Sequence, residues 1–382
     1  MKYFGYYADD KRLDKANCTL AAVNKMNYIA DVIAKATGST EIISFSSILG
    51  GSQKSECIQL RNDVSVKYFD LKSYKSRIVR VILRFFDKLK ILLWIIKNVD
   101  KDEPVIVYHS LGYFNLIDIA HKLKKFKLIY EVEEIFADVI GKKRLRKHEI
   151  KILKSADAYI FPTKLLSDLI NESKKPEVFI HGTYKVEQKK ETIFSDNKIH
   201  IVYAGTFDPR KGGALAAISA AEFLSSNHHI HIIGFGSDED IKNIKERIGE
   251  ISEISQANVT YDGLLSGEEY TEFIQSCDIG LSTQNPNAAF NDTSFPSKIL
   301  SYMANGLRVV TVRIPAIESS AVGQDVYYYD EQTPQAIAGA IMKIDLNDGY
   351  DGRKRIEELD KQFKEDLVGL LGGKNGKGKM GN

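Results

Sequence analysis

A lysine near a helix start and two glycine turns hold most of the chemistry legible in this chain. The segment NDTSFPSKILSYMANGLRVV, from Asn291 to Val310, places Lys298 in what reads as the first turn of a helix. Thr293 or Ser294 is the expected cap, and Pro296 enters the helix early. A cation at that end opposes the helix dipole, so its presence calls for more than a structural reason. Its ammonium and the unpaired N–H groups of the same turn would converge on one anionic group, as a diphosphate requires. Ser294, Phe295, Pro296 and Ser297 would line that approach.

The second motif is AGTFDPRKGG, from Ala204 to Gly213. A turn at Gly205 and Thr206 ends a strand, and Arg210 and Lys211 sit where a helix begins. Small residues let a ligand approach the backbone, and two cations at a helix start favour a pyrophosphate; the plainer reading is a tight turn with solvated charges. The third is IIGFGSDED, from Ile232 to Asp240, where Gly234 and Gly236 follow a strand but the third glycine of a dinucleotide fingerprint is missing. Ser237 then reads as a helix cap, with Asp238 and Asp240 as first-turn acids rather than metal ligands.

The elements that would position these residues are short strands alternating with helices. Strand-like runs begin at Lys2, Glu41, Ser65, Val105, Lys127, Ala158 and Glu177, and again at Lys198, His229, Asn258, Ile279, Arg308 and Val326. Such alternation predicts parallel sheets covered by helices. A polar, lysine-rich stretch from 183 to 197 separates two series. The expected division is residues 1–185 and 186–345, then a helix over 346–371 that packs back towards the first domain, and a glycine-rich disordered tail over 372–382. Ligands in doubly wound folds bind outside the carboxyl ends of the strands, and the site is expected between the two halves.

At 382 residues the chain is long enough for two cores. Its 53 basic and 51 acidic residues nearly cancel, which argues against a dedicated nucleic-acid binder. Cys18, Cys57 and Cys277 are scattered, without zinc or disulfide spacing, which fits a reducing cytoplasm. No stretch approaches the roughly 20 apolar residues of a membrane span.

The pattern AGTF, RKG, the turn from Asp262 to Leu264, and SFPSKIL before YMA resembles the retaining glycosyltransferases of family 4, of GT-B fold, found in bacterial surface-polysaccharide synthesis. The likeness runs from about Lys198 to Asp330. It implies an α/β fold of two Rossmann-like domains and an enzyme that moves a sugar from a nucleotide-diphosphate sugar to a glycan or lipid-linked acceptor, with no cofactor. By that resemblance Arg210 or Lys211 and Lys298 hold the donor diphosphate, Gly205 lies beneath it, and Gly263 and Leu264 border the base. Two glutamates that grip the ribose in the family correspond here to Thr293 and Ser301. No D-x-D stands where a metal would bridge sugar and diphosphate, so transfer is expected to need no metal.

On the acceptor side, Glu131, Glu133 and Glu134 follow a strand. They would orient an acceptor hydroxyl or take its proton, or else stand as solvated carboxylates at a helix start. His109 faces a similar choice between site and structure, and His181, Gly182 and Tyr6 complete the strand ends of this half. From Leu71 to Asn98, Arg77, Arg80, Arg84 and Lys88 share one side of a helical wheel, while Ile78, Ile82, Phe85, Leu89, Leu93 and Ile96 share the other. Such a helix suits an anionic membrane surface, or covers a sheet with its basic side wet. Two other functions fit the same sequence: a sugar-nucleotide epimerase of similar shape, and a catalytically silent partner that binds a nucleotide.

Overall fold

The computed structural model describes residues 1–48, 51–72, 77–190, 192–208, 212–286 and 294–372, and the side chains of these except 52, 72 and 77–81. Arg210, Lys211, Thr293 and the expected tail beyond Gly372 lie outside the described residues, as do the side chains of Arg77, Ile78 and Arg80. The chain divides into two compact units, Met1–Ile180 with the chain from Gln362, and His181–Lys361.

The first unit contains β1 (Lys2–Gly5), α1 (Leu20–Thr37), β2 (Thr40–Ser44), β3 (Ser52–Gln53), β4 (Glu56–Arg61), β5 (Val64–Tyr68), β6 (Leu71–Lys72), α2 (Arg77–Asn98), β7 (Pro104–Tyr108), α3 (Phe114–Lys124), β8 (Lys127–Glu131), α4 (Phe136–Val139), α5 (Lys143–Leu153), β9 (Ala158–Phe161), α6 (Lys164–Ile170) and β10 (Glu177–Phe179). Eight strands form a sheet in the order β10-β9-β8-β7-β1-β2-β5-β4, parallel except for β4, which runs antiparallel to β5. Strand β4 is not legible in the sequence because it lies at an edge with most of its side chains in water. The order reverses between β1 and β7, with β2 on one side and β8 on the other.

Helix boundaries follow local chemistry. Thr19 caps α1 by accepting from Ala22 N, and Gly38, in the left-handed region, ends it. Thr163 caps α6 in the same way. Ile91, Ile95 and Val99 of α2 and the loop after it are fully buried against a core that includes Phe4, Phe45, Phe69 and Tyr130.

The second unit contains β11 (Ile199–Thr206), α7 (Gly213–Ala220), β12 (His228–Phe235), α8 (Asp238–Ile254), β13 (Asn258–Gly263), α9 (Gly267–Gln275), β14 (Ile279–Ser282), α10 (Lys298–Ala304), β15 (Arg308–Val312), α11 (Pro315–Glu318), β16 (Tyr327–Tyr329) and α12 (Pro334–Ile341). Its sheet is wholly parallel, in the order β13-β12-β11-β14-β15-β16. That is the doubly wound Rossmann order, and its switch point falls between β11 and β14. The last helix, α13 (Gly352–Leu370), starts in this unit; from Gln362 onward it belongs to the first, where Phe363 stacks on Tyr28 and Lys127 Nζ donates to the Leu370 carbonyl.

Candidate active site

Parallel strands end together, so the residues just after β11, β12 and β14 share one edge of the second sheet. At that edge Gly234 approaches β11 so closely that a Cβ there would stand 1.8 Å from the Gly205 carbonyl oxygen. Gly213 is equally confined: a Cβ would lie 2.3 Å from the Thr283 carbonyl oxygen, and the Thr283 hydroxyl donates to the Gly213 carbonyl. The first strand, its following helix and the strand across the switch point are thus locked backbone to backbone.

Lys298 comes to this edge from α10. Its ammonium sits 3.9 Å from the centre of the Tyr203 ring and 3.1 Å from where a Cβ on Gly205 would stand. One turn later Tyr302, fully buried, fixes the helix: its hydroxyl accepts from Ala204 N at 2.8 Å and donates to the Leu281 carbonyl. Residues four apart share a helix face, so the bonds of Tyr302 aim Lys298 at the strand ends. Gly280 makes room for the Tyr302 ring, which would lie 2.3 Å from a Cβ there.

Helix α10 begins at Lys298, later than expected. Ser297 stands at the cap position with helical backbone angles and no side-chain capping bond, so neither Ser294 nor Pro296 opens the helix. Phe295 is buried, its ring 5.0 Å from that of His181. The Ser301 hydroxyl lies 3.4 Å from the Tyr270 hydroxyl. Gly263, with φ +85°, has open space where a Cβ would go, and Leu264 beside it is exposed. Thr206 is exposed at the end of β11.

The G-x-G turn after β12 is structural in its details. Gly236 fits against Phe207 and Asp240, and Ser237 and Asp240 form a reciprocal capping box at the start of α8. Asp238 and Asp240 are first-turn acids, as read from sequence.

The carboxylates after β8 are not the solvated cluster that one reading expected. Glu131 has no exposed surface and accepts a hydrogen bond from Tyr3. Burial, then the neighbouring Glu133, push its pKa up to about 8. Glu133 is partly exposed and pairs with Lys25, whose ammonium is 2.5 Å away and also donates to the Ile180 carbonyl. The helix start they were expected to mark is instead capped by Glu149, which accepts from Phe136 N and Ala137 N, each at 2.9 Å.

His109, expected on the acceptor side, is enclosed: its side chain is fully buried and its Nε2 lies 2.7 Å from Glu149 Oε1. Its surroundings are Phe114, Tyr130 and Phe136, which makes it part of the packing of α4 and α5. Tyr6 stays partly exposed, its ring tilted against that of Tyr113, with its hydroxyl pKa raised by burial. His181, expected to end the first half, falls in the second unit, where its Nε2 accepts from Ala321 N; Gly182 packs on Leu300 of α10.

Sequence reasoning missed Tyr203, Thr283 and Tyr302 at the second edge, and Tyr3, Lys25 and Glu149 in the first unit. Nothing in a linear sequence separates a buried tyrosine that only packs from one that orients a cation.

Helix α2 is turned differently from the expectation of a sheet-covering helix with a wet basic side. Ile82, Phe85, Phe86, Leu89 and Leu93 are all at least 40% exposed, which leaves an apolar stripe in solvent. Lys88 lies over the Tyr113 ring, and Arg84 acts electrostatically on Tyr6. The buried stripe is Ile91, Ile95 and Val99. Among the described residues no helix is long and apolar enough to cross a membrane.

Residues 198–346 match the family model described as glycosyl transferases group 1. No curated protein sequence matches the chain. Solved structures are similar over nearly the whole length. A sucrose-phosphate synthase from Thermosynechococcus elongatus aligns over 97% of this chain and 98% of its own, at 13% identity and a TM-score of 0.68. An E. coli trehalose-6-phosphate structure bound with UDP-2-fluoro glucose covers 97% and 99%, at 10% identity and 0.68. A trehalose-6-phosphate synthase studied for enzymatic glycosyltransfer with retention covers 97% and 98%, at 10% identity and 0.65. At these identities the structures establish the fold. With the GT-B fold and a glycosyl transferase group 1 domain over residues 198–346, the chain is a glycosyltransferase.

Proposed function

We propose that this enzyme transfers a sugar from a nucleotide-diphosphate sugar to a glycan or lipid-linked acceptor, with retention and without a metal, in the synthesis of a surface polysaccharide. The observation that carries the reading is the Lys298 ammonium beside Gly205 at the switch point of the second sheet. In this fold class that edge is where a nucleotide's phosphates rest, and a fixed cation there stabilises the charge that develops on a departing diphosphate. Arg210 and Lys211, which lie outside the described residues, are the further cations of the proposal. With charge neutralised by side chains and backbone N–H groups, a divalent ion is not required for the leaving group.

Gly263 and Leu264 offer an open, exposed turn for the base. Retention rests on the family likeness and on the neighbour studied for retaining transfer. On the acceptor side, Tyr6 and Glu133 are the expected residues that keep solvent access. A cytoplasmic location fits the three free cysteines. The exposed apolar stripe on α2, with Arg84, Lys88 and Lys90 around it, suits peripheral binding to an anionic membrane face, where a lipid-linked acceptor would lie.

A second reading, a nucleotide-binding partner without turnover, is favoured by one observation. Ser301 presents a neutral hydroxyl already beside Tyr270, where the resembled family carries a ribose-gripping carboxylate. Incubating the chain with nucleotide-diphosphate sugars, with and without lipid-linked acceptors, separates the readings. Nucleotide diphosphate released only when acceptor is present supports transfer; donor conversion without acceptor indicates an epimerase; tight nucleotide binding without turnover in any combination indicates the silent partner.

A further inference from the structure

The opposite end of the second sheet holds a feature that sugar transfer does not use. His200 near the start of β11 and His229 and His231 near the start of β12 lie on one face of the sheet, since His200 pairs with His229 in register and His231 follows two residues on. One ring nitrogen from each of the three lies within 4.8 Å of the other two. His200 is five residues before Gly205 on β11, which puts the cluster about 16 Å from the Lys298 edge.

The hydrogen bonds around the cluster create an electrostatic problem. His200 Nδ1 faces His231 Nε2 at 2.9 Å. The far nitrogen of His200 lies 2.8 Å from an Asp196 carboxylate oxygen, and the far nitrogen of His231 lies 3.2 Å from Asp262. Each carboxylate draws the imidazole proton to its own side. That leaves two lone pairs pointed at each other in a nearly closed space, with a third imidazole alongside. His200 and His231 are buried, and Phe194 stacks over both.

Facing lone pairs repel unless something positive stands between them. A shared proton would satisfy His200 and His231, while His229 Nε2 lies 3.0 Å from the Thr260 hydroxyl. A metal ion uses all three. Imidazoles whose remote N–H is held by a carboxylate are the usual ligands of zinc and similar ions. Nitrogen ligands at about 2.0–2.1 Å in a tetrahedron stand roughly 3.3 Å apart, so the 2.9 Å pair needs only a small opening. Asp196 and Asp262 are partly exposed, which gives an ion a route from solvent.

We propose that His200, His229 and His231 bind one divalent transition-metal ion, zinc by preference, with Asp196 and Asp262 as the carboxylates that orient two of the ligands. The site is structural. It joins β11 and β12 beneath the segment around Phe194, which is itself tied to α9 where Lys190 N donates to Gln275 and Thr192 donates to the Glu272 carbonyl. It stands apart from any role of a metal in sugar transfer, which the proposed function does without.

The test uses the full chain, stripped with a chelator and dialysed. Zinc is titrated by calorimetry, and cobalt(II) is titrated while its visible absorption is followed, since a nitrogen-rich tetrahedral site gives cobalt an intense band. The expected result is one equivalent bound per chain, a rise in Tm on zinc addition, and loss of both in His231→Asn and in the less buried variant His229→Asn. The second variant stands in should the first fail to fold. Absence of saturable binding at one equivalent overturns the proposal, and so does binding that survives in His229→Asn. Lys298→Ala, a change at the other edge, should leave metal uptake intact whatever it does to turnover.

Discussion

The Tyr302 hydroxyl bridges two strands, accepting from Ala204 N on β11 and donating to the Leu281 carbonyl on β14, and so sets the height of Lys298 one turn earlier on α10. The proposed cation site is therefore built from the sheet outward. Two consequences separate positioning from charge.

Tyr302→Phe leaves a buried N–H and a buried carbonyl without this partner. A loss of about 1–3 kcal/mol in unfolding free energy is expected, by urea titration. Turnover should fall as well, through misplacement of Lys298. A stable variant with normal turnover would show that the helix does not depend on this bridge.

Lys298→Ala should lower turnover roughly a hundredfold or more if the ammonium stabilises a leaving diphosphate. Stability should change little, because the side chain is only partly buried. Lys298→Arg, which keeps the charge in a different shape, should recover part of the loss. Near-normal rates in the alanine variant would end the electrostatic role.

The glycines at this edge should divide by what their Cβ would meet. Gly234→Ala forces a Cβ to 1.8 Å from a backbone oxygen at φ +138°, so a destabilisation of about 3 kcal/mol or more is expected. Gly205→Ala meets the Lys298 ammonium at 3.1 Å, the far end of a flexible side chain. Its expected effect is a turnover loss of about tenfold to a hundredfold with a smaller change in Tm. Equal thermal losses in the two variants would contradict the distinction.

Glu131 should make the fold sensitive to alkali. Its folded-state pKa is raised, to about 8, from an ordinary value of 4.5, chiefly by burial. Between those values the folded chain keeps a proton that the unfolded chain has released, so stability falls as pH rises through the window and the penalty is complete above it. Glu131→Gln, neutral at every pH, should show a flatter decline of Tm from about pH 4.5 to about pH 8 than the parent chain. Parallel profiles for the two would refute the assignment.

The α2 stripe predicts membrane binding that depends on apolar area. Replacing Phe85 and Phe86 together by serine should weaken sedimentation with vesicles rich in anionic lipid by about tenfold or more, because each ring offers up to about 2–3 kcal/mol on burial. Added salt should weaken the parent chain too, through Arg84, Lys88 and Lys90. Equal vesicle binding by parent and variant would exclude this face.

By itself the sequence determined two parallel sheets, because β-branched runs alternating with helical periodicity admit little else, and it determined the glycine turns, because a strand that ends in Gly205 or Gly234 is going somewhere a side chain cannot. It also singled out Lys298 as a cation in an electrostatically awkward place. Only tertiary structure decided what Lys298 faces, since Tyr203 and Gly205 reach it through the packing of α10 on β11 and not through spacing along the chain. The same holds for Glu131, which meets Tyr3 from β1, on the far side of β7 in the sheet, and for His109, enclosed by a carboxylate forty residues away. The two readings of α2 stayed open in the sequence for a related reason. A helical wheel gives the sides of a helix, but which side meets the core is settled by the neighbours, and here the core took Ile91 and Ile95 and left Phe85 in water. The three histidines went unnoticed because 31 residues separate His200 from His231, and parallel pairing of β11 with β12 is what makes them neighbours.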